Sequence, residues 1–353
     1  MNDKLIKIGI SHGDINGISY ELMLKVFEDI RIFESCVPIV YGHAKVLSYY
    51  KKVLDLPPVN INTINNAREA GVNRLNIVNC GNEDAAVDIS RPTPESEAID
   101  KAAFQKAMED LKSGLIDVLV MAPSNIDETN YLVSQIGEKN KTLKILVNDG
   151  VRIALATNKV PLSEALPVIT TEFLTEKIKN LHASLAHDFM LSLPRIAVLS
   201  LNPAVGIIEQ RFGKEETEII IPAIKAANDA GAICFGPYSA DEFFGSEYFL
   251  KFDAVLAMYH DQGATPFRSV TLEEGVQYYS GLQFVVTSPD TGVSYEKAGK
   301  NESSESSFRN AIYLAIDIFY AKKLDREITA NPLKKQYFER GSDNEKLDLT
   351  KDE

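Results

Sequence analysis

Phe252-Asp-Ala-Val-Leu-Ala-Met-Tyr-His-Asp-Gln-Gly-Ala-Thr-Pro-Phe267 joins two unlike segments. Ala254 to Met258 is a short apolar run of the kind that makes a fully buried strand. It breaks abruptly into Tyr259-His-Asp-Gln-Gly263, four hydrogen-bonding side chains and a glycine. In an open α/β sheet, ligand-binding groups collect at the carboxyl ends of strands. The stretch therefore predicts a strand whose exit carries chemistry. His260 suits proton transfer or metal ligation near neutral pH, and Asp261 can orient it or share the ligand. A loop in which both residues only satisfy backbone groups accounts for the same residue types, and chemistry alone does not separate the two readings.

Outward from this stretch the chain alternates in character. Leu5 to Ile10 reads as a first strand, followed by Ser11-His-Gly-Asp-Ile-Asn-Gly17 and a periodic run, Tyr20 to Phe27. Two glycines before a helix can cradle an anion, but such a loop is more often plain α/β architecture. Val37 to Gly42 is a second strand, and His43 is expected as a surface or capping residue at a helix start. Apolar residues recur at helical spacing from Ser96 to Lys112, and Gly114 stops that helix. Ile116–Ala122 and Val151–Thr157 read as further strands, Pro194–Pro203 as another strand and its exit loop, and Phe308–Phe319 as a helix with a wide apolar face. The alternation predicts an α/β fold with a largely parallel sheet.

Composition narrows the partners. The chain has 353 residues, enough for two domains or lobes, each with its own core. No apolar run approaches the roughly 18 residues of a membrane span. A net charge of −13 disfavours nucleic acid or an anionic membrane as the main partner. A phosphorylated small molecule remains compatible, because a few local basic groups suffice for it. Three scattered cysteines show neither zinc spacing nor a disulfide framework, which points to a reducing compartment. The opening residues lack a signal-peptide pattern, so a cytoplasmic location is expected.

Ala257-Met-Tyr-His-Asp-Gln-Gly263, with Leu199-Ser-Leu-Asn-Pro203 and Gly281-Leu-Gln-Phe-Val-Val-Thr-Ser288, resembles the 4-hydroxythreonine-4-phosphate dehydrogenase (PdxA) family of vitamin B6 synthesis. Gly13-Asp14, Gly17-Ile18 and Glu21 are similar to that family's N-terminal loop, and the likeness runs from about Ile6 to about Phe319. The resemblance implies an α/β/α fold of two lobes, of the isocitrate/isopropylmalate dehydrogenase type. Residues 1–123 and 285–325 would form the first lobe and 124–284 the second, with 326–353 a frayed polar tail. It further implies a homodimer, NAD as cofactor and a divalent metal. The reaction would be NAD-dependent oxidation and decarboxylation of 4-phosphooxy-L-threonine. His260 would be a metal ligand and, with Asp261 and Asp241, catalytic. Arg268 stands for the family's phosphate-binding lysine and Gln277 for its asparagine. Asp290 and Asn301 lie in segments that resemble the dinucleotide region. No GxGxxG follows the first strand, so any NAD site would be of the family's own kind.

The chain also departs from the pattern. Lys159 and Ala204 occupy the places of two of the three metal histidines, Val286 that of an arginine, and Thr291 that of a histidine. Ile126 to Lys144 contains no GHTE motif. A protein-bound transition metal needs three or four good ligands, and a lysine ammonium repels a dication. The expectation is no tightly held zinc, with Lys159 paired to Asp241 and Asp261 in the metal's stead. Two functions stand side by side: the family reaction, or a non-catalytic or repurposed relative that keeps the fold and a small-anion site.

Overall fold

The computed structural model describes residues 5–80, 86–126, 128–137, 141–203 and 213–330. Among them, twelve strands make one sheet. One half carries, from its outer edge inward, β3 (Ile61–Ile64), β4 (Leu75–Asn79), β2 (Cys36–Gly42), β1 (Ile6–Ser11), β5 (Val118–Met121) and β12 (Val285–Pro289). The other half continues with β11 (Val276–Ser280), β6 (Leu143–Asn148), β7 (Val151–Leu155), β10 (Ala254–Ala257), β8 (Arg195–Leu199) and β9 (Ile233–Tyr238). The predicted buried strand of the opening stretch is β10, and all four of its residues are buried.

The expected parallel sheet holds for eight of the eleven strand pairs. The antiparallel pairs β12–β11, β11–β6 and β6–β7 sit together at the centre. The strands β7, β10 and β8 therefore run opposite to β1, β2 and β5. The two central strands β6 and β11 are not among the strands expected from the sequence, and they carry residues that matter below.

Helices cover both faces. The helix Pro94–Lys112 starts with Pro94 at its first turn and a reciprocal capping box between Thr93 and Ser96. It buries Ala103, Phe104, Ala107, Met108 and Leu111 against Ile39, Tyr41, Leu119 and Met121. On the same face, the helix His260–Thr271 lays Ala264 and Phe267 on Leu146, Ile153, Leu155 and Ala257. The central strands β12, β11 and β6 lie between these two helices. The opposite face is covered by Ser19–Glu28, Thr171–His187 and Ser306–Thr329. Thr287 in β12 anchors the last of these by donating to the Ala311 carbonyl at 2.8 Å.

The final helix runs to Thr329, so residues 326–329 of the expected polar tail are helical. Its outer turns are held from the side: Lys322 lies 3.2 Å from Asp188, and His187 Nδ1 lies 3.1 Å from Asp325. Residues 331–353 fall outside the described ones. No helix among the described residues is long and apolar enough to cross a membrane.

Candidate functional site

The exit of β10 is tied to its neighbours before any ligand is considered. Met258 N–H donates to Gln262 Oε1 at 2.8 Å, and Gln262 Nε2 donates to the Ser200 carbonyl at 2.7 Å. Thr157 Oγ1 donates to the Met258 carbonyl at 2.9 Å. A Cβ on Gly263 would stand 2.9 Å from Ala257 Cβ and 2.7 Å from Leu155 Cδ2, so only glycine lets the helix approach β7 and β10 this closely. Gln262 and Gly263 are thus architectural. His260 opens the helix, its Nδ1 2.7 Å from Asp261 Oδ1. A carboxylate accepts here, so Nδ1 carries the hydrogen of this contact and Nε2 is the ring nitrogen left to face a ligand. The Asp261 side chain is 84% exposed, which makes this a weak, water-screened pair.

The donors expected around a metal do not converge. Asp241 accepts from the Ser239 hydroxyl, which also lies 2.6 Å from the Pro203 carbonyl, and this contact lowers the Asp241 pKa. Lys159 is exposed and forms no ion pair with Asp241 or Asp261, contrary to expectation. Those two carboxylates already hold Ser239 and His260, and an exposed ammonium is well solvated by water. Asn202, in the motif before Ala204, is held by Glu215 at 3.0 Å and Glu216 at 2.9 Å. Ala204 itself lies outside the described residues. Among the described residues, no three His, Cys, Asp or Glu side chains stand together as a metal cluster. Among the described residues, the donor set does not fit a tightly held dication. The three cysteines are buried and free, and burial raises their thiols to about 12, 12 and 11, which removes them as thiolate ligands.

Arg268 lies eight residues further along the same helix, a rise of about 12 Å. Its Nε and Nη2 clasp Asp290 at 2.9 and 2.8 Å. The Asp290 side chain is only 1% exposed, while that of Arg268 is half exposed, and the pairing raises the Arg268 pKa. Gln277 Nε2 donates to Asp290 Oδ1 at 2.8 Å, and Gln277 Oε1 accepts from Lys144 Nζ at 2.8 Å and Tyr279 Oη at 3.2 Å. Residues assigned by resemblance to substrate (Arg268, Gln277) and to dinucleotide (Asp290) therefore share one network. Asn301 stands apart from it, exposed in a turn with φ 60°. Near that turn, Ile18, Glu273, Thr291, Ser294 and Lys297 line a small recess with Ser303 and Ser304. The Ser303 hydroxyl is buried there without a partner among the described residues, an open position for a polar ligand group.

The N-terminal loop follows its architectural reading. Ile18 N–H donates to the Val293 carbonyl at 3.1 Å, and Ser19 Oγ to the Pro123 carbonyl at 2.9 Å, so the helix start is already covered. The sequence had singled out neither the Asp14 cluster nor His12. Asp14 accepts from Tyr295 Oη at 2.5 Å and Asn125 Nδ2 at 3.2 Å, joining the first loop to the segments after β5 and β12. His12 is fully buried with neither ring nitrogen bonded among the described residues. His43, expected at the surface or as a cap, is 3% exposed and faces the His12 ring edge-on at 6.3 Å. Asn79 supplies the cap instead, accepting from Ala44 N–H at 3.0 Å.

Burial, then the neighbouring His43, lowers His12 from 6.5 to about 3. The unfolded chain therefore takes up a proton below pH 6.5 that the folded chain refuses until about 3, and stability falls as pH drops through that window. Between pH 7 and pH 5 the protein is expected to lose about 2 kcal/mol from His12 alone. Urea unfolding at both pH values tests this, and His12→Phe should flatten the difference.

Two oppositely running half-sheets, joined by central antiparallel pairs and layered with helices on both faces, define an α/β protein of the isopropylmalate dehydrogenase-like fold. Residues 34–315 match the family described as pyridoxal phosphate biosynthetic protein PdxA, and the chain belongs to that family. A Bacteroides thetaiotaomicron protein named 4-hydroxythreonine-4-phosphate dehydrogenase is 45% identical over 360 positions, 99% of this chain and 98% of its own. A protein of the same name from Prosthecochloris aestuarii is 34% identical, covering 89% of this chain and 97% of its own. The crystal structure of such a dehydrogenase from Burkholderia phymatum superposes with a TM-score of 0.69 at 27% identity, covering 90% of this chain and 99% of that one.

Proposed function

We propose that this chain is a PdxA-family protein that binds a small phosphorylated ligand over its central strands but has lost the family's metal centre. The observation that carries the reading is the scattered donor set, with Lys159 solvated where the resemblance places a metal histidine. The family reaction oxidises the hydroxyl of 4-phosphooxy-L-threonine and decarboxylates the resulting β-keto acid, and bound NAD supplies the hydride acceptor. What this chain retains for it is recognition and proton transfer. Arg268 turns its exposed guanidinium edge to the phosphate, and Gln277 orients the arginine through Asp290. His260 accepts a proton at Nε2 while Asp261 holds Nδ1–H. The Thr291–Ser304 segment, with Asn301 and the unpartnered Ser303 hydroxyl, holds the dinucleotide. The retained His260–Asp261 pair favours residual turnover over a wholly non-catalytic role.

The lobes of this reading are residues 1–123 with 285–325, and 124–284; the division of the strands into two half-sheets supports it. A homodimer in the cytoplasm completes it. Phe235 on the edge strand β9, with Tyr248 and Leu250 nearby, leaves apolar surface at 45%, 36% and 60% exposure that a second copy would cover. Light scattering at micromolar concentration should give twice the 39.1 kDa chain mass, and a monomer mass contradicts it. Activity is tested by following NADH formation from 4-phosphooxy-L-threonine with and without added zinc, magnesium or manganese. The reading expects binding without metal-stimulated turnover.

A further inference from the structure

Three strands cross the face between the helices Pro94–Lys112 and His260–Thr271, and one cross-strand row of that face sets a half-buried lysine beside two buried residues. Tyr278 pairs with Thr287, which sets Tyr279 beside Val286; Tyr279 in turn pairs with Lys144. Val286 and Tyr279 share one core cluster, and the Lys144 ammonium lies over the Tyr279 ring, 5.0 Å from its centroid. Val286, Tyr279 and Lys144 therefore stand in a row on one face. Two strand spacings, about 10 Å, separate the first from the last, within reach of long side chains.

Lys144 is also wired to the phosphate residue. A lysine only donates and an ionised aspartate only accepts, so the Gln277 amide between them has one workable orientation. Its oxygen faces Lys144 and its nitrogen faces Asp290, which holds Arg268. Lys144 thus fixes the far end of the Gln277–Asp290–Arg268 relay and brings a second cation to the same face.

We infer that Lys144 is a further ligand-binding residue, supplying with Arg268 the positive charge that receives the phosphate of a small phosphorylated ligand. The inference rests on the phosphate-binding reading proposed above. The row carries no cation at Val286 and one at Lys144, two strands away. The ligand's charged group is accordingly drawn toward β6.

Calorimetric titration of the full chain with 4-phosphooxy-L-threonine and with inorganic phosphate tests it. Lys144→Met should weaken both at least about tenfold, the loss of one charge-assisted contact, while Lys144→Arg retains most of the affinity. Affinity for unphosphorylated threonine serves as a readout that a purely structural lysine would move and a phosphate contact would not. Unchanged phosphate affinity in Lys144→Met, with a loss in Arg268→Met, overturns the role of Lys144 and leaves the phosphate site standing. Equal losses in Lys144→Met and Lys144→Arg also overturn it, since charge would not be the cause. Absence of phosphate binding by the unaltered protein defeats the phosphate-binding reading itself, and the inference with it.

Discussion

Assayed beside the 45% identical Bacteroides relative, this protein is expected to form NADH from 4-phosphooxy-L-threonine at least about a thousandfold more slowly. A metal acting as Lewis acid on a developing oxyanion is worth several kcal/mol, and about 4 kcal/mol corresponds to a thousandfold. His260 Nε2 alone does not replace it, because a single imidazole moves a proton but does not stabilise negative charge on two substrate oxygens at once. Asp261 beside His260 adds negative charge, which works against an alkoxide. Adding zinc, magnesium or manganese should leave the rate low, since no converging donors are present among the described residues to hold them. Metal-stimulated turnover at the relative's rate would contradict the proposal.

The largest expected loss of stability comes from Gly13→Ala. Gly13 has φ 69°, in the left-handed region, and a Cβ there would lie 2.2 Å from the Pro123 carbonyl oxygen and 2.9 Å from Ser19 Oγ. That carbonyl also accepts from Asp14 N–H and Ser19 Oγ, so it is held in place on the loop after β5. Backbone strain of about 1–3 kcal/mol adds to an overpacking cost of similar size, giving about 2–6 kcal/mol. Gly114→Ala is the matched control: its φ is 70°, but nothing lies within 4 Å of the added Cβ. It should lose only about 1 kcal/mol. Urea unfolding of the two variants, side by side, separates strain from collision. Equal losses would show that the Pro123 contact costs nothing.

Fold class was open to reading because long apolar strands and one periodic helix carry it. Ala254–Met258 could hardly be anything but buried strand, and Ser96–Lys112 showed its face in the spacing of Ala103, Ala107 and Leu111. What escaped was decided by tertiary packing. Val276-Gln-Tyr-Tyr-Ser280 has the alternation and aromatic content of a strand, a signal present but short. Leu143–Asn148 has no clean alternation, because Leu143, Ile145, Leu146 and Val147 are buried from both faces of the sheet. Missing these strands hid Lys144 and Tyr279. The individual site residues were legible as types, but not their company. Nothing in the spacing of Arg268, Gln277 and Asp290 shows that they meet, since contacts across 22 residues depend on where the helix His260–Thr271 ends. His43 looked like a cap by position, but the neighbouring strand's Asn79 took that role and left the imidazole to face inward.

The absence of a tight metal centre is tested most directly by elemental analysis of protein purified, loaded with zinc or manganese, and dialysed. The account predicts metal far below one equivalent per chain. It also predicts that Lys159→His combined with Ala204→His raises retention toward one equivalent by adding two imidazoles to His260. Near-stoichiometric metal in the unaltered protein would contradict the account.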